Sequence, residues 1–238
     1  MVHLPINNRI GTVALEPSKI ICLGLNYREH IAESVTAAAS GTQDDVPEEP
    51  ILFPKTPNAL IGPKDTILIP AFIDRYEFEE PRTDYEAELA VIIGRRCKNV
   101  PVENALEMVY GYTCLNDVSQ RNIQTGDKSG WFRGKSLDTF APVGPAVTLA
   151  EDMPEPQDLH IQCRLNGKTV QDSNTRHMIF SIPEIIAFVS MNFTLNQGDV
   201  IATGTPAGVG PLHDGDVVEV EIELIGVLTN PVSREYTP

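Results

Sequence analysis

Several things are missing from these 238 residues, and each absence removes a class of protein. No stretch of eighteen uninterrupted apolar residues occurs, so no membrane-spanning helix is expected. The N-terminal run Met1-Val2-His3-Leu4-Pro5-Ile6-Asn7-Asn8-Arg9 lacks the apolar segment of a secretory signal. The four cysteines, Cys22, Cys97, Cys114 and Cys163, form no C-x-x-C pair, which argues against a zinc knuckle or a redox dithiol. Buried, reduced thiols in a cytoplasmic protein are the expectation, although Cys114 and Cys163 also stand as candidate nucleophiles with nothing nearby to lower their pKa. Clustered Lys and Arg are absent and the formal net charge is −15, which excludes a phosphate-backbone grip on nucleic acid. The glycine-rich Thr203–Gly210 stretch lacks the Gly-Lys-Ser/Thr of a phosphate loop. No internal repeat and no linker is visible, so one domain is expected.

What is present is a chain rich in short strands. Lys19–Leu25, Ile51–Lys55, Thr66–Pro70, Tyr110–Ser119 and Asp199–Ala202 read as strands after a polar lead over residues 1–18. Asn166-Gly167 predicts a type I′ hairpin between His160–Leu165 and Lys168–Gln171. The last strand is expected at Asp216–Leu224, with its acids toward solvent. Helices are expected at Val102–Val109, after Pro101, and from the Ser181-x-x-Glu184 capping box to about Phe193. Strands outnumber helices and lack regular helical crossovers, so the expected class is α+β and mainly β, a rolled or sandwiched sheet with a few peripheral helices.

The segment Tyr85–Ile93 carries the most chemistry. As a strand it sets Glu86 and Glu88 about 7 Å apart on one face. Two acids on one face repel unless solvated, as on an edge strand, or bridged by a cation, for which oxygen ligands suit Mg²⁺, Mn²⁺ or Ca²⁺. Asp117, ending the Tyr110–Ser119 strand, is the natural third ligand if the two strands pair. Upstream, His30 and Glu33 share one face of a short helical piece, either as an ordinary surface pair or as two groups acting on one small molecule. Residues 34–50 that follow are small, polar or acidic, the composition of a flexible lid or an inert loop.

Taken in order, Gly24-Leu25-Asn26-Tyr27 with His30 and Glu33, Glu86-Ala87-Glu88, Asn116-Asp117-Val118-Ser119, Lys135-Ser136 with Asp138-Thr139-Phe140-Ala141-Pro142, Met178-Ile179-Phe180 and Thr203-Gly204-Thr205-Pro206 resemble the fumarylacetoacetate hydrolase family, in its short single-domain members. The resemblance implies a mixed β-sandwich roll, a homodimer, and Mg²⁺ or Mn²⁺ held by Glu86, Glu88 and Asp117. It further implies that Lys135 reaches the substrate or metal, that the Thr205 loop closes over a substrate carboxylate, and that His30 and Glu33 handle a proton or water. Arg121 is kept and Gln124 stands just beyond it, both on the substrate side, whereas Gln120 and Asn122 depart from the family's N-D-V-S-A-R-D run. The implied reaction is metal-dependent C–C hydrolysis of acylpyruvate-type 2-oxo acids, with oxaloacetate decarboxylation and isomerisation of a hydroxy-diene dioate as alternatives sharing the same enolate. A non-catalytic metal or small-acid binder is the remaining alternative.

Overall fold

The computed structural model describes residues 1–33, 46–128 and 131–236, so most of the expected lid, 34–45, lies outside the described residues. Its larger sheet has seven strands in the order Ile51–Lys55, Ile20–Gly24, Val200–Ala202, Ala87–Ile93, Val109–Asn116, Ala141–Leu149 and Leu60–Ile61. Two neighbour pairs are parallel, Val200–Ala202 with Ile20–Gly24 and Ala141–Leu149 with Leu60–Ile61, so the sheet is mixed. A five-stranded sheet runs Lys168–Asn174, His160–Leu165, Val217–Ile222, Gly226–Arg234 and Ile67–Ile69. The two sheets pack face to face, with Ala87–Ile93 and Val109–Asn116 against His160–Leu165 and Val217–Ile222. Between them lies one contiguous apolar core, in which Leu89, Val91, Cys114, Ile161, Val220 and Leu228 are buried.

Local chemistry explains the elements that were legible. Asn166 and Gly167 both adopt positive φ, 52° and 77°, and close the hairpin as a type I′ turn requires. The Ser181/Glu184 capping box opens the Ile182–Asn192 helix, whose buried face carries Ile182, Ile185, Ile186 and Val189. All four cysteines are buried and free. Among the described residues no helix is long and apolar enough to cross a membrane.

Some expectations need correction or refinement. The polar lead over residues 1–18 carries structure of its own: Val2–Pro5 and Thr12–Leu15 form an antiparallel hairpin that buries Leu4 and Leu15. The helix expected after Pro101 is present as a 3₁₀ helix, Val102–Met108. The chain also adds a nine-residue strand, Gly226–Arg234, beyond the expected last one. In the adjoining Val217–Ile222 strand, Glu219 and Glu221 are partly covered by pairing with Arg164 of the neighbouring strand.

A further correction concerns the segment with the two glutamates. It is two strands, Thr83–Tyr85 and Ala87–Ile93, and the chain changes sheets at Glu86. Thr83–Tyr85 belongs to a small sheet with Ser119–Gln120 and Gly210–Pro211. A switch of sheets leaves backbone N–H groups without a ladder partner. Two side chains take them: Glu86 N–H donates to Asn116 Oδ1 at 2.9 Å, and Ala87 N–H donates to Gln171 Oε1 at 3.0 Å.

Candidate metal centre and active-site cavity

The sheet switch brings three acids together. Glu86 and Glu88 flank Ala87, which pairs with Asn116, so Asp117 follows immediately on the neighbouring strand. One carboxylate oxygen from each of Glu86, Glu88 and Asp117 lies within 4.8 Å of the others, and all three residues are buried.

Buried charge of one sign must be compensated, and the surroundings supply cations. Lys135 Nζ donates to Glu86 Oε2 at 2.9 Å and to Asp117 Oδ2 at 2.8 Å. Arg121 Nη2 donates to Glu86 Oε1, while its Nε donates to Asp84 Oδ2 at 2.8 Å and its Nη1 to Gln124 Oε1 at 2.9 Å. Lys55 Nζ sits 2.7 Å from Asp117 Oδ1. Its three protons, however, go to the carbonyls of Val118, Lys135 and Phe140, so Asp117 Oδ1 has an ionic neighbour but no hydrogen bond. Asp84 pairs with Arg82 and Arg121, Glu86 with Arg121 and Lys135, and Asp117 with Lys55 and Lys135, so among the described residues Glu88 is the one of these four buried carboxylates without an ion-pair partner.

Glu88 is held by a backbone hydrogen bond instead. Its Oε2 accepts from Gly204 N–H at 2.8 Å, but its Oε1 is buried with no hydrogen-bond partner among the described residues. Burial, then the charges of Asp117 and Glu86, push the Glu88 carboxyl well above the usual carboxylate range. Burial acts the same way on Glu86, but Arg121 and Lys135 outweigh it and hold that group low. Lys135 is likewise opposed by burial and kept above its ordinary value by Asp117 and Glu86. Three converging carboxylates, two of them with an oxygen lacking a hydrogen bond and one, Glu88, without an ion-pair partner among the described residues, form a hard all-oxygen donor set. These residues fit a divalent cation.

Above the triad lies a narrow cavity lined by Glu86, Glu88, Arg121, Gln124, Lys135, Thr205 and His30. Asp117 is beneath it, fully buried. Glu33 stands behind His30: its Oε1 lies 3.4 Å from His30 Nδ1 and accepts from the N–H groups of Gly208 at 2.7 Å and Val209 at 3.3 Å. Burial would raise the Glu33 carboxyl, yet the His30 contact and these two amides hold it low. The Arg28–Glu33 helix is thereby pinned to the loop that carries Thr205. That loop is tied down by Asn26, whose Nδ2 donates to Thr203 O at 2.8 Å, and Gly204 makes the approach possible: a Cβ there would stand 2.7 Å from the Asn26 Cβ.

Several participants were not foreseen from the sequence. Lys55 carried a signal, a lysine on the same strand parity as the buried Phe53. Trp131, on the cavity wall, forms an edge contact with Phe53 at a centroid distance of 5.3 Å. It lies one helical turn before Lys135, a spacing visible in the sequence. Asn116 and Gln171 had no local signal, because their partners come from distant segments, and Asp84, although paired with Arg82 two positions before it, also takes Arg121 from a distant one.

Fold and site together define a mainly β, α+β protein with a buried acidic centre of divalent-cation type. Residues 19–233 match the fumarylacetoacetate (FAA) hydrolase C-terminal family, and the chain belongs to that family. It is 44% identical to the mitochondrial oxaloacetate tautomerase of Xenopus laevis, over 97% of this chain and 70% of that protein. The 5-carboxymethyl-2-hydroxymuconate delta-isomerase of Mycobacterium smegmatis superposes with a TM-score of 0.80 at 41% identity, covering 94% of this chain and 81% of that one. Fumarylpyruvate hydrolase of Pseudomonas aeruginosa, solved with Mn²⁺ and pyruvate, superposes at 0.85 with 27% identity, covering 98% and 96%.

Proposed function

We infer that the protein is a divalent-metal-dependent enzyme acting on short 2-oxo acids through an enolate, with keto–enol exchange of oxaloacetate as its reaction. The observation that carries the enolate chemistry is the buried triad, whose Glu88 has no cation partner among the described residues, beside Lys135 and Arg121 and under a cavity that His30 lines. The choice of oxaloacetate leans on the tautomerase relative at 44% identity. Glu86, Glu88 and Asp117 would hold the metal. Bound there, Mg²⁺ or Mn²⁺ supplies Lewis acidity toward a 2-oxo group. The Mn²⁺ of the hydrolase neighbour supports either ion, without choosing between them.

The chain's own groups divide the remaining work. Arg121 and Lys135 place fixed positive charge where negative charge develops on the substrate, and they are pre-oriented by Asp84, Glu86 and Asp117. Glu33 accepts a hydrogen bond from His30 Nδ1–H and so keeps that tautomer, leaving Nε2 as the acceptor that would remove a proton from the carbon beside the carbonyl and deliver it to the enolate oxygen, the reverse transfer giving the keto form. Gln124 and Thr205 offer polar contacts to the substrate's oxygens.

A second reading, hydrolysis of acylpyruvates, is favoured by the same His30 and Glu33 pair, which could take a proton from attacking water. Oxaloacetate decarboxylation and diene-dioate isomerisation draw on the same enolate. The test is a panel of oxaloacetate, acetylpyruvate and a hydroxy-diene dioate, each assayed with Mn²⁺ and with EDTA. Metal-dependent turnover of oxaloacetate enol above the others supports the first reading, and cleavage of acetylpyruvate alone supports the second.

A further inference from the structure

Gln171 lies in the Lys168–Asn174 strand of the five-stranded sheet, in a strand otherwise partly or fully exposed, yet it is itself 1% exposed. Its amide makes three hydrogen bonds. Oε1 accepts from Ala87 N–H at 3.0 Å, and Nε2 donates to Thr205 Oγ1 at 2.8 Å and to Pro206 O at 2.8 Å. A backbone N–H can only donate and a backbone carbonyl can only accept, so these two neighbours fix which end of the amide faces which way.

One consequence reaches the cavity. Thr205 Oγ1 receives a proton from Gln171 and therefore cannot give its own back along the same line. Among the described residues no acceptor takes the Thr205 proton, and Thr205 lines the cavity. We propose that Gln171 is a positioning residue that aims the Thr205 hydroxyl proton at a ligand oxygen, a carboxylate or carbonyl oxygen of the 2-oxo acid. The same amide ties the Thr205 loop to the peptide between Glu86 and Glu88, so hydroxyl and acidic centre keep a fixed spacing. The orientation of the hydroxyl follows from the hydrogen bonds alone, whereas the identity of the ligand rests on the function proposed above.

The test compares Gln171→Glu, Thr205→Val, Thr205→Ser and the double variant Gln171→Glu/Thr205→Val, using calorimetric binding of oxalate to the Mn²⁺-loaded protein. A carboxylate at position 171 can only accept, so it would turn the Thr205 proton away from the cavity. Losing one hydrogen bond to a charged oxygen weakens binding by about tenfold to a hundredfold, and both Gln171→Glu and Thr205→Val are expected to show this. Thr205→Ser keeps the hydroxyl and should bind within threefold of wild type. The double variant should be no weaker than either single variant, which separates proton orientation from simple repulsion by the added charge. In turnover the loss should appear in KM more than in kcat.

Multiplicative losses in the double variant, or wild-type affinity in Gln171→Glu, overturn the proposal. If Gln171→Glu does not fold, unchanged oxalate binding by Thr205→Val overturns it equally. Wild-type protein that binds Mn²⁺ but no oxalate removes the 2-oxo acid reading and the proposal together, an outcome distinct from loss of the proposal alone.

Discussion

Trp131 rests directly on Gly24: a Cβ on Gly24 would lie 2.4 Å from the indole Cζ3 and 2.8 Å from Cη2. Gly24 ends the Ile20–Gly24 strand and, like Trp131, lines the cavity, so the absence of a side chain at one position sets the wall at the other. Gly24→Ala is expected to displace the ring. Overpacking of this kind costs about 1–3 kcal/mol in stability. Trp131 is the only tryptophan, so its emission reports the displacement without labelling. A red-shifted spectrum with weakened oxalate binding is the expected result.

Glu88 is the acid for which the site holds no cation. Removing an uncompensated buried charge relieves the folded state, whereas removing a ligand weakens metal binding. Glu88→Gln should therefore melt higher than wild type in EDTA and gain nothing from added Mn²⁺, which stabilises wild type by mass action. Melting curves of the two proteins with EDTA and with Mn²⁺ check both halves.

Lys55 gives its three protons to carbonyls of three separate segments while facing Asp117. Lys55→Met leaves those carbonyls and one carboxylate oxygen without their cation, and breaking a buried ion pair in this way costs about 3–5 kcal/mol. A urea midpoint lowered accordingly, with the slope unchanged, is the expected result.

Asp199 supplies the acid limb of stability. It is fully buried and accepts from Ser18 Oγ at 2.6 Å, Ser18 N–H at 3.0 Å, Asn196 N–H at 2.7 Å and the Lys19 ammonium. Burial would raise its carboxyl, but the Lys19 and Ser18 hydrogen bonds and the Asn196 amide outweigh it and hold the group low. A depressed folded value means the stabilisation is present above the unfolded value of about 3.9 and is lost as pH falls through the folded one. The Tm gap between wild type and Asp199→Asn should be constant from pH 8 to about 5 and close below about 4.

Much of the fold could be read from local chemistry. The Asn166-Gly167 turn, the Ser181/Glu184 cap and the strands at Ile20–Gly24 and Ile51–Lys55 carry their instructions within a few residues. The break at Glu86 could not be read that way. Residues Thr83 to Ile93 are buried on both faces, so no alternation marks where one sheet gives way to the other. The orphaned amides at the break are met by Asn116 and Gln171, which are 30 and 84 positions away. The three acids were visible as candidates from strand parity and strand ends. Their charge balance was not, because Lys55, Arg121 and Lys135 arrive from three different elements.

The most direct measurement is the rate of oxaloacetate keto–enol exchange, followed by enol absorbance with Mn²⁺-loaded wild type, His30→Ala and Glu88→Gln. Wild type should accelerate exchange well beyond Mn²⁺ and buffer alone. His30→Ala should lose about 10²–10⁴-fold of that rate, the usual share of a positioned general base, while still binding oxalate. Glu88→Gln should lose metal-dependent exchange altogether. Wild-type protein that leaves the exchange rate at the level of free Mn²⁺, or His30→Ala that matches wild type, would contradict the assignment of enolate chemistry on oxaloacetate to this site.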